Sequence, residues 1–221
     1  MKRTLLALSV CAALAACNNT PKENAAQTSE AREESAATGD SVSVDLATSN
    51  VGWTGGHKGK VKPDRVGTFN LSSGTIYLKD GAVSGGHFVV DINSIKDLGQ
   101  APDTAAQHKL EGHLKSADFF DAAKYPTARF AITNIVPYDS TKAKSLLPGA
   151  TNLVSGNLTF KDSTLNILFP AKIEVSGKNV RVEGKFVIDR TTWGLNYKGP
   201  NNPQDWFIDK EVYLTLDIKT K

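Results

Sequence analysis

Cysteine is almost missing from this chain. Its 221 residues contain two, Cys11 and Cys17, and both stand near the start. Nothing downstream of Cys17 can form a disulfide, bind a metal through sulfur or serve as a thiol nucleophile. Long apolar runs are missing too. The stretch from Leu5 to Leu14 is apolar or small, but a membrane-spanning helix needs about 20 such residues. Neither sign of charge dominates, with 26 Lys and Arg against 23 Asp and Glu and a formal net charge of +3. So weak and dispersed an excess is no footprint for nucleic acid. Enzyme signatures are lacking as well. There is no G-x-S-x-G elbow. Gly55-Gly56-His57-Lys58-Gly59-Lys60 is rich in glycine and lysine but lacks P-loop spacing, and it reads as a strand edge and turn. Histidine occurs at 57, 87, 108 and 113 only. His108 and His113 lie about 140° apart around a helix, so they do not share the face a zinc helix requires. A metal site built across strands from His57 and His113 is the remaining option. The composition points to a protein that works without a cofactor, a metal or a catalytic residue.

The N-terminus carries an export pattern. Lys2 and Arg3 precede the Leu5–Leu14 stretch, which suits a signal-peptide core. Leu14-Ala15-Ala16-Cys17 follows, and it resembles the bacterial lipobox, in which a cysteine is acylated and becomes the first mature residue. Cys11 competes poorly because bulky Val10 precedes it. An ordinary secretory signal with an incidental cysteine is the competing reading. Several acyl chains on Cys17 would anchor the chain stably, since each buried CH₂ contributes about 0.8 kcal/mol. Asn18 is not an aspartate retention signal, so the expected location is the cell envelope, with the outer membrane favoured over the inner. Residues 18–40 have no aromatic residue and no Val, Ile or Leu. Such a segment buries too little surface to offset its ordering entropy. It is expected to be a disordered tether, leaving one domain over residues 41–221.

That domain reads as antiparallel β. Val180, Val182, Phe186 and Ile188 alternate with Arg181, Glu183, Lys185 and Asp189, with Val187 out of step. Ala171, Ile173 and Val175 alternate with Lys172 and Glu174. Val212, Leu214, Leu216 and Ile218 alternate with polar residues near the C-terminus. A period of two puts one side-chain set on each face of a strand. Further strands are expected at 42–46, 50–56, 66–71, 74–79, 83–92, 128–136, 153–160 and 164–169. Ser176-Gly177-Lys178-Asn179 and Asp80-Gly81 are hairpin turn signals. A sheet apolar on one face through so many hairpins closes as a barrel or packs as a sandwich. Asp103 to Ser116 breaks the pattern: Pro102 precedes it, Asp103 could cap it, and two to three helical turns are expected. This helix is either a lid or a plain connection. Asp189-Arg190 is either an ion pair or a pair of charges on alternate faces. His87 stands in an outward register beside Phe88, which suggests a surface role.

Ordered motifs then carry a resemblance. His57, Gly59, Val66-Gly67, Phe69, Gly74 and Ile76 come first. His113-Leu114-Lys115-Ser116-Ala117-Asp118-Phe119-Phe120-Asp121 follows, with Lys124-Tyr125-Pro126 and Arg129-Phe130. Gly156-Asn157-Leu158-Thr159 and Arg190-Thr191-Thr192-Trp193-Gly194 complete the set. Together they resemble the YceI-like family over nearly all of residues 42–219. The resemblance implies a lipocalin-like antiparallel β-barrel of about eight strands with a short helix beside it. It also implies a long isoprenoid or other amphiphilic lipid bound inside, in a periplasmic protein. The lipid anchor, Trp53-Thr54-Gly55 and the loop 198–209 depart from the family pattern.

Candidate lining residues lie on the apolar face: Phe88, Val90, Phe130, Ile132, Leu158, Ile167, Phe169, Val182, Phe186, Ile188, Leu214 and Leu216. Any barrel needs such a face, with or without a ligand. Phe119 and Phe120 either plug the mouth or staple the helix, and Trp193 and Trp206 stand near loops where an entrance would be. His113 is either polar packing or a gate. The expected partners are an amphiphilic, isoprenoid-type lipid and the membrane that holds the anchor. The alternative is an envelope interaction module with a filled barrel; a hydrolase or isomerase acting on a bound lipid is more remote.

Overall fold

The computed structural model describes residues 25–60, 64–99, 104–200 and 207–221. The signal segment, Cys17, the first part of the tether, Asp103 and Trp206 lie outside these. In chain order the strands are β1 (Gln27–Glu30), β2 (Asp40–Ser43), β3 (Asn50–His57), β4 (Arg65–Lys79), β5 (Ala82–Asp91) and β6 (Lys96–Asp97). The helix α1 (Thr104–Lys115) follows, then β7 (Thr127–Pro137), β8 (Asn152–Phe160), β9 (Ser163–Ser176), β10 (Asn179–Asp189) and β11 (Ile208–Lys219). Eight strands pair antiparallel in the ring β9-β10-β11-β3-β4-β5-β7-β8 and back to β9. The fold is thus a closed barrel and not a sandwich.

Alternation builds the wall as expected. The expected pair 66–71 and 74–79 is one strand, β4, with a bulge between Leu71 and Ser73. Likewise 164–169 and 171–175 form one strand, β9, running through Pro170. Pro170 lacks an N–H, and it sits where β9 changes neighbours. Asp80 (φ 53°) and Gly81 (φ 78°) make the hairpin turn between β4 and β5, both left-handed as that turn demands. Inside, Trp53, Phe69, Leu158, Ile167, Phe169, Phe186 and Leu214 belong to one core. A second cluster of Val42, Val44, Ile76, Leu78, Val180 and Ile218 packs one end of the barrel. α1 lays Leu110 and Leu114 on the first core.

The expectation of a disordered tether is not met over residues 25–40. β9 and β10 pair only from Ser176↔Asn179 to Ala171↔Gly184, and there the two strands part. β1 fills the opening: Gln27–Glu30 pairs antiparallel with Leu165–Leu168 of β9. The Ala26 N–H donates to the Val187 carbonyl of β10 at 2.8 Å. The chain then runs around the outside of the barrel as a belt. Arg32 and Asn157 of β8 exchange two hydrogen bonds, of 3.0 and 2.6 Å. Glu34 accepts a bidentate pair from Arg129 of β7, one member at 2.7 Å. The Ser35 N–H donates to the Ile132 carbonyl at 2.9 Å, and Ser84 of β5 donates to the Thr38 carbonyl at 2.9 Å. After Gly39 (φ 95°) the chain becomes β2 along β4. The belt's own composition hid this, because backbone hydrogen bonds to another strand leave no side-chain signature.

Candidate functional site

Two apolar chambers lie along the barrel interior. The first, about 110 Å³, is lined by Val51, Leu71, Ile76, Phe88, Val90, Phe130, Ile132, Val154, Ile167, Phe169, Ile173, Val182, Phe186 and Leu216, among others. The second, about 160 Å³, lies toward α1 and is lined by Trp53, Leu110, Leu114, Phe119, Phe120, Ile188, Leu195 and Val212, together with polar residues. Phe69, Phe160 and Leu214 line both and form the partition between them. Rings dominate the first chamber: Phe169 stacks on Phe186 at 4.1 Å, and Phe130 lies 5.8 Å from Phe169 and 6.3 Å from Phe88. A dry cavity of about 150 Å³ holds one benzene-sized group. A multi-unit apolar tail therefore needs both chambers and a displaced partition.

The second chamber has a polar margin of His57, Arg65, His113, Arg190 and Asp209. Most of these groups are tied into the scaffold. Arg65 pairs with the buried Asp97 carboxylate at 3.0 Å. The Asp97 N–H donates to Glu111 on α1 at 3.1 Å, which fixes the helix to β6. Arg190 is 4% exposed and donates to the carbonyls of Leu195, Tyr197, Ile208 and Asp209. It thereby pins the following loop to β11. Among the described residues Asp189 makes no hydrogen bond or contact ion pair with Arg190, although its charge favours the guanidinium through space. It accepts from Lys210 at 2.7 Å and from the Thr191 N–H and hydroxyl, capping a short 3₁₀ turn (Arg190–Trp193). Partial burial works against the Asp189 charge, but the Lys210 and Thr191 hydrogen bonds outweigh it and hold the carboxyl below its ordinary pKa. His113 sits edge-on to Tyr197 (4.7 Å) and Phe119 (5.2 Å), with Asp118 at 3.8 Å. His57 meets the edge of Phe207 at 5.0 Å. Among the described residues no three of His, Cys, Asp and Glu come together as a metal site would need.

The sequence-derived lining set is largely brought together. Phe88, Val90, Phe130, Ile132, Leu158, Ile167, Phe169, Val182, Phe186 and Leu216 line the first chamber, and Leu214 lines both. Ile188, Phe119 and Phe120 line the second. Phe120 packs on Phe69 (5.7 Å) and Phe160 (6.0 Å), so it plugs the interior. Phe119 packs on His113 and Tyr197 beneath Arg190, so it staples the loop. Trp193 is a correction: it lines neither chamber, is 1% exposed, and donates its indole N–H to the Leu158 carbonyl at 2.9 Å. Its bond fixes the 3₁₀ turn to the wall. Trp206 lies outside the described residues. Among the lining residues that sequence reasoning missed are Val51, Trp53, Phe69, Val154 and Phe160. All sit on strands with the same alternation, so the signal was present. His87 does face outward, against Tyr77.

A family model for the YceI-like domain matches residues 43–220. Two solved structures share the fold. BcnA of Burkholderia cenocepacia is 20% identical with a TM-score of 0.60, covering 80% of this chain and 99% of its own. A polyisoprenoid binding domain from Saccharophagus degradans, implicated in plant cell wall breakdown, is 18% identical with a TM-score of 0.54, covering 81% and 97%. No curated protein matches the sequence.

Proposed function

The chain belongs to the YceI-like domain family, and we propose that it is a lipid-anchored envelope protein that binds an amphiphilic, isoprenoid-type lipid inside its barrel. The observation that carries this reading is the pair of apolar chambers that share Phe69, Phe160 and Leu214, with polar groups gathered at the margin of the second and Arg129 alone at the first. An apolar tail would run through both, and its burial would contribute about 25 cal/mol per Å². The head would rest among His57, His113 and Asp209. The chemistry needed is burial and release, with no bond made or broken. The anchor is argued from Lys2-Arg3, the Leu5–Leu14 stretch and the Cys17 lipobox, and the outer membrane is the proposed address. A second reading, a filled barrel used for interactions at the envelope, draws on the small chamber volumes.

Native mass spectrometry with organic extraction of the mature chain from its own envelope tests the choice. A discrete co-purifying isoprenoid mass, lost in a folded Phe186→Lys or Phe130→Lys variant, is the expected result. A clean apo mass that stays unchanged after incubation with polyprenyl lipids would favour the filled barrel.

A further inference from the structure

We propose that the seam between β9 and β10, closed by β1, is the portal through which lipid enters and leaves the barrel, and that this side of the barrel faces the membrane. The proposal rests on the lipid-carrier reading above and adds the route.

At the seam consecutive wall strands separate and an exposed third segment takes over the pairing. β2 and β6 take over in the same way along β4, but β2 is held by the buried Val42 and Val44, and β6 by the buried Asp97 with its bonds to Arg65 and Glu111. Directly behind the seam stand Ile167, Phe169 and Phe186, all lining the first chamber. Lifting β1 therefore opens the wall onto the apolar interior without breaking a ladder between ring strands. On its other side β10 has no such break: β10 and β11 stay in register from Arg181↔Lys219 to Asp189↔Glu211.

The closing segment is built to lift. All four residues of β1 are exposed, so little apolar surface holds it. Its attachments are backbone hydrogen bonds, the Gln27 amide's 2.7 Å bond to the Lys142 carbonyl, the small Ala26 side chain against the core, the Arg32–Asn157 exchange, the Ser84–Thr38 bond and the Glu34–Arg129 pair. An exposed ion pair contributes about 1 kcal/mol or less, and the bidentate geometry puts this one toward the upper end. Downstream the character changes abruptly, because Val42 and Val44 are buried in the second core cluster and hold β2 in place. Between the two regimes stands Gly39 at φ 95°, where a Cβ would lie 2.0 Å from the Leu78 carbonyl oxygen. The belt can leave the wall upstream of this glycine while β2 stays.

The membrane side follows from chain length. Eight peptide steps separate Cys17 from Ala25, a reach of at most about 28 Å. An acylated Cys17 thus keeps the seam close to the bilayer surface, and the same chain that anchors the protein closes its wall.

A reversible lock tests the route. Gln27 and Leu168 are directly opposed, so Gln27→Cys with Leu168→Cys in the mature acylated chain places two thiols within reach of a disulfide. The probe is a fluorescent polyprenyl lipid carried in phosphatidylethanolamine–phosphatidylglycerol vesicles, and the readout is its rate of transfer into the barrel. Oxidation is expected to slow loading by about tenfold or more, with full recovery on reduction. A control lock across β10 and β11, Arg181→Cys with Lys219→Cys, leaves the rate unchanged. Glu34→Gln, which weakens the clasp, speeds loading and serves where the lock does not fold. Equal loading by oxidised, reduced and Glu34→Gln proteins would overturn the portal and leave the carrier reading intact. Failure of the wild-type chain to load at all would overturn both.

Discussion

At two inward positions, glycine decides where large rings go. A Cβ on Gly67 would lie 2.4 Å from the Trp53 ring and 2.0 Å from the Lys96 carbonyl oxygen. One on Gly156 would lie 2.1 Å from the Phe130 ring. Gly156→Ala is therefore expected to destabilise the fold by about 1–3 kcal/mol through overpacking, read as a lower urea midpoint with an unchanged slope. The two buried tryptophans behave oppositely. The Trp193 N–H is satisfied by Leu158, while the Trp53 N–H, sealed from solvent, meets no acceptor among the described residues. Trp193→Phe should cost more than Trp53→Phe, by about 1 kcal/mol, because only the first loses a hydrogen bond. Equal midpoints in the same denaturation series would contradict this.

Among the elements, the hairpin strands were legible because period-two patterning reports which face is buried, and α1 because its polar segment breaks that pattern just after Pro102. The belt was not, since it closes the wall with backbone groups. One trace of it stood in the sequence all the same. Val187, the residue out of step in its strand, is 4% exposed although its neighbours Phe186 and Ile188 point inward, and Ala25 is bridged to it. Asn157 and Asn166, on outward positions beside Leu158 and Ile167, are likewise buried, and Asn166 donates to both Asn157 and Thr133. The belt's clasp has a pH sense. The hydrogen bond from Arg129 holds the Glu34 carboxyl below its usual value near 4.5. A carboxyl lowered on docking adds stability above its undocked pKa and loses it as pH falls through the docked one. Amide protection of Ala26 and Ser35, corrected for intrinsic exchange, is thus expected to fall below about pH 4.5 while that of β10–β11 holds. The effect stays under about 1 kcal/mol because the pair is exposed, and Glu34→Gln should abolish its pH dependence.

For the whole molecule, the balance between a filled and a loaded barrel turns on the partition of Phe69, Phe160 and Leu214. Phe69→Ala merges the chambers. Without ligand it should lower stability by about 3–5 kcal/mol, as large-to-small core changes do. Its melting temperature should then rise more on adding a long prenyl lipid than that of the wild type, and differential scanning fluorimetry with prenyl alcohols of increasing length checks both halves. Alternation, turn residues and ordered motifs determined by themselves that this chain makes an antiparallel barrel with a helix beside it, and most of which side chains face inside. Those are properties of neighbours along a strand, so a linear pattern records them. Where the interior divides, that Trp193 serves the wall and not the cavity, and that residues 25–40 close the seam were decided only by the tertiary structure. Each depends on which backbone and which ring meet across the barrel, and no local periodicity encodes that distance.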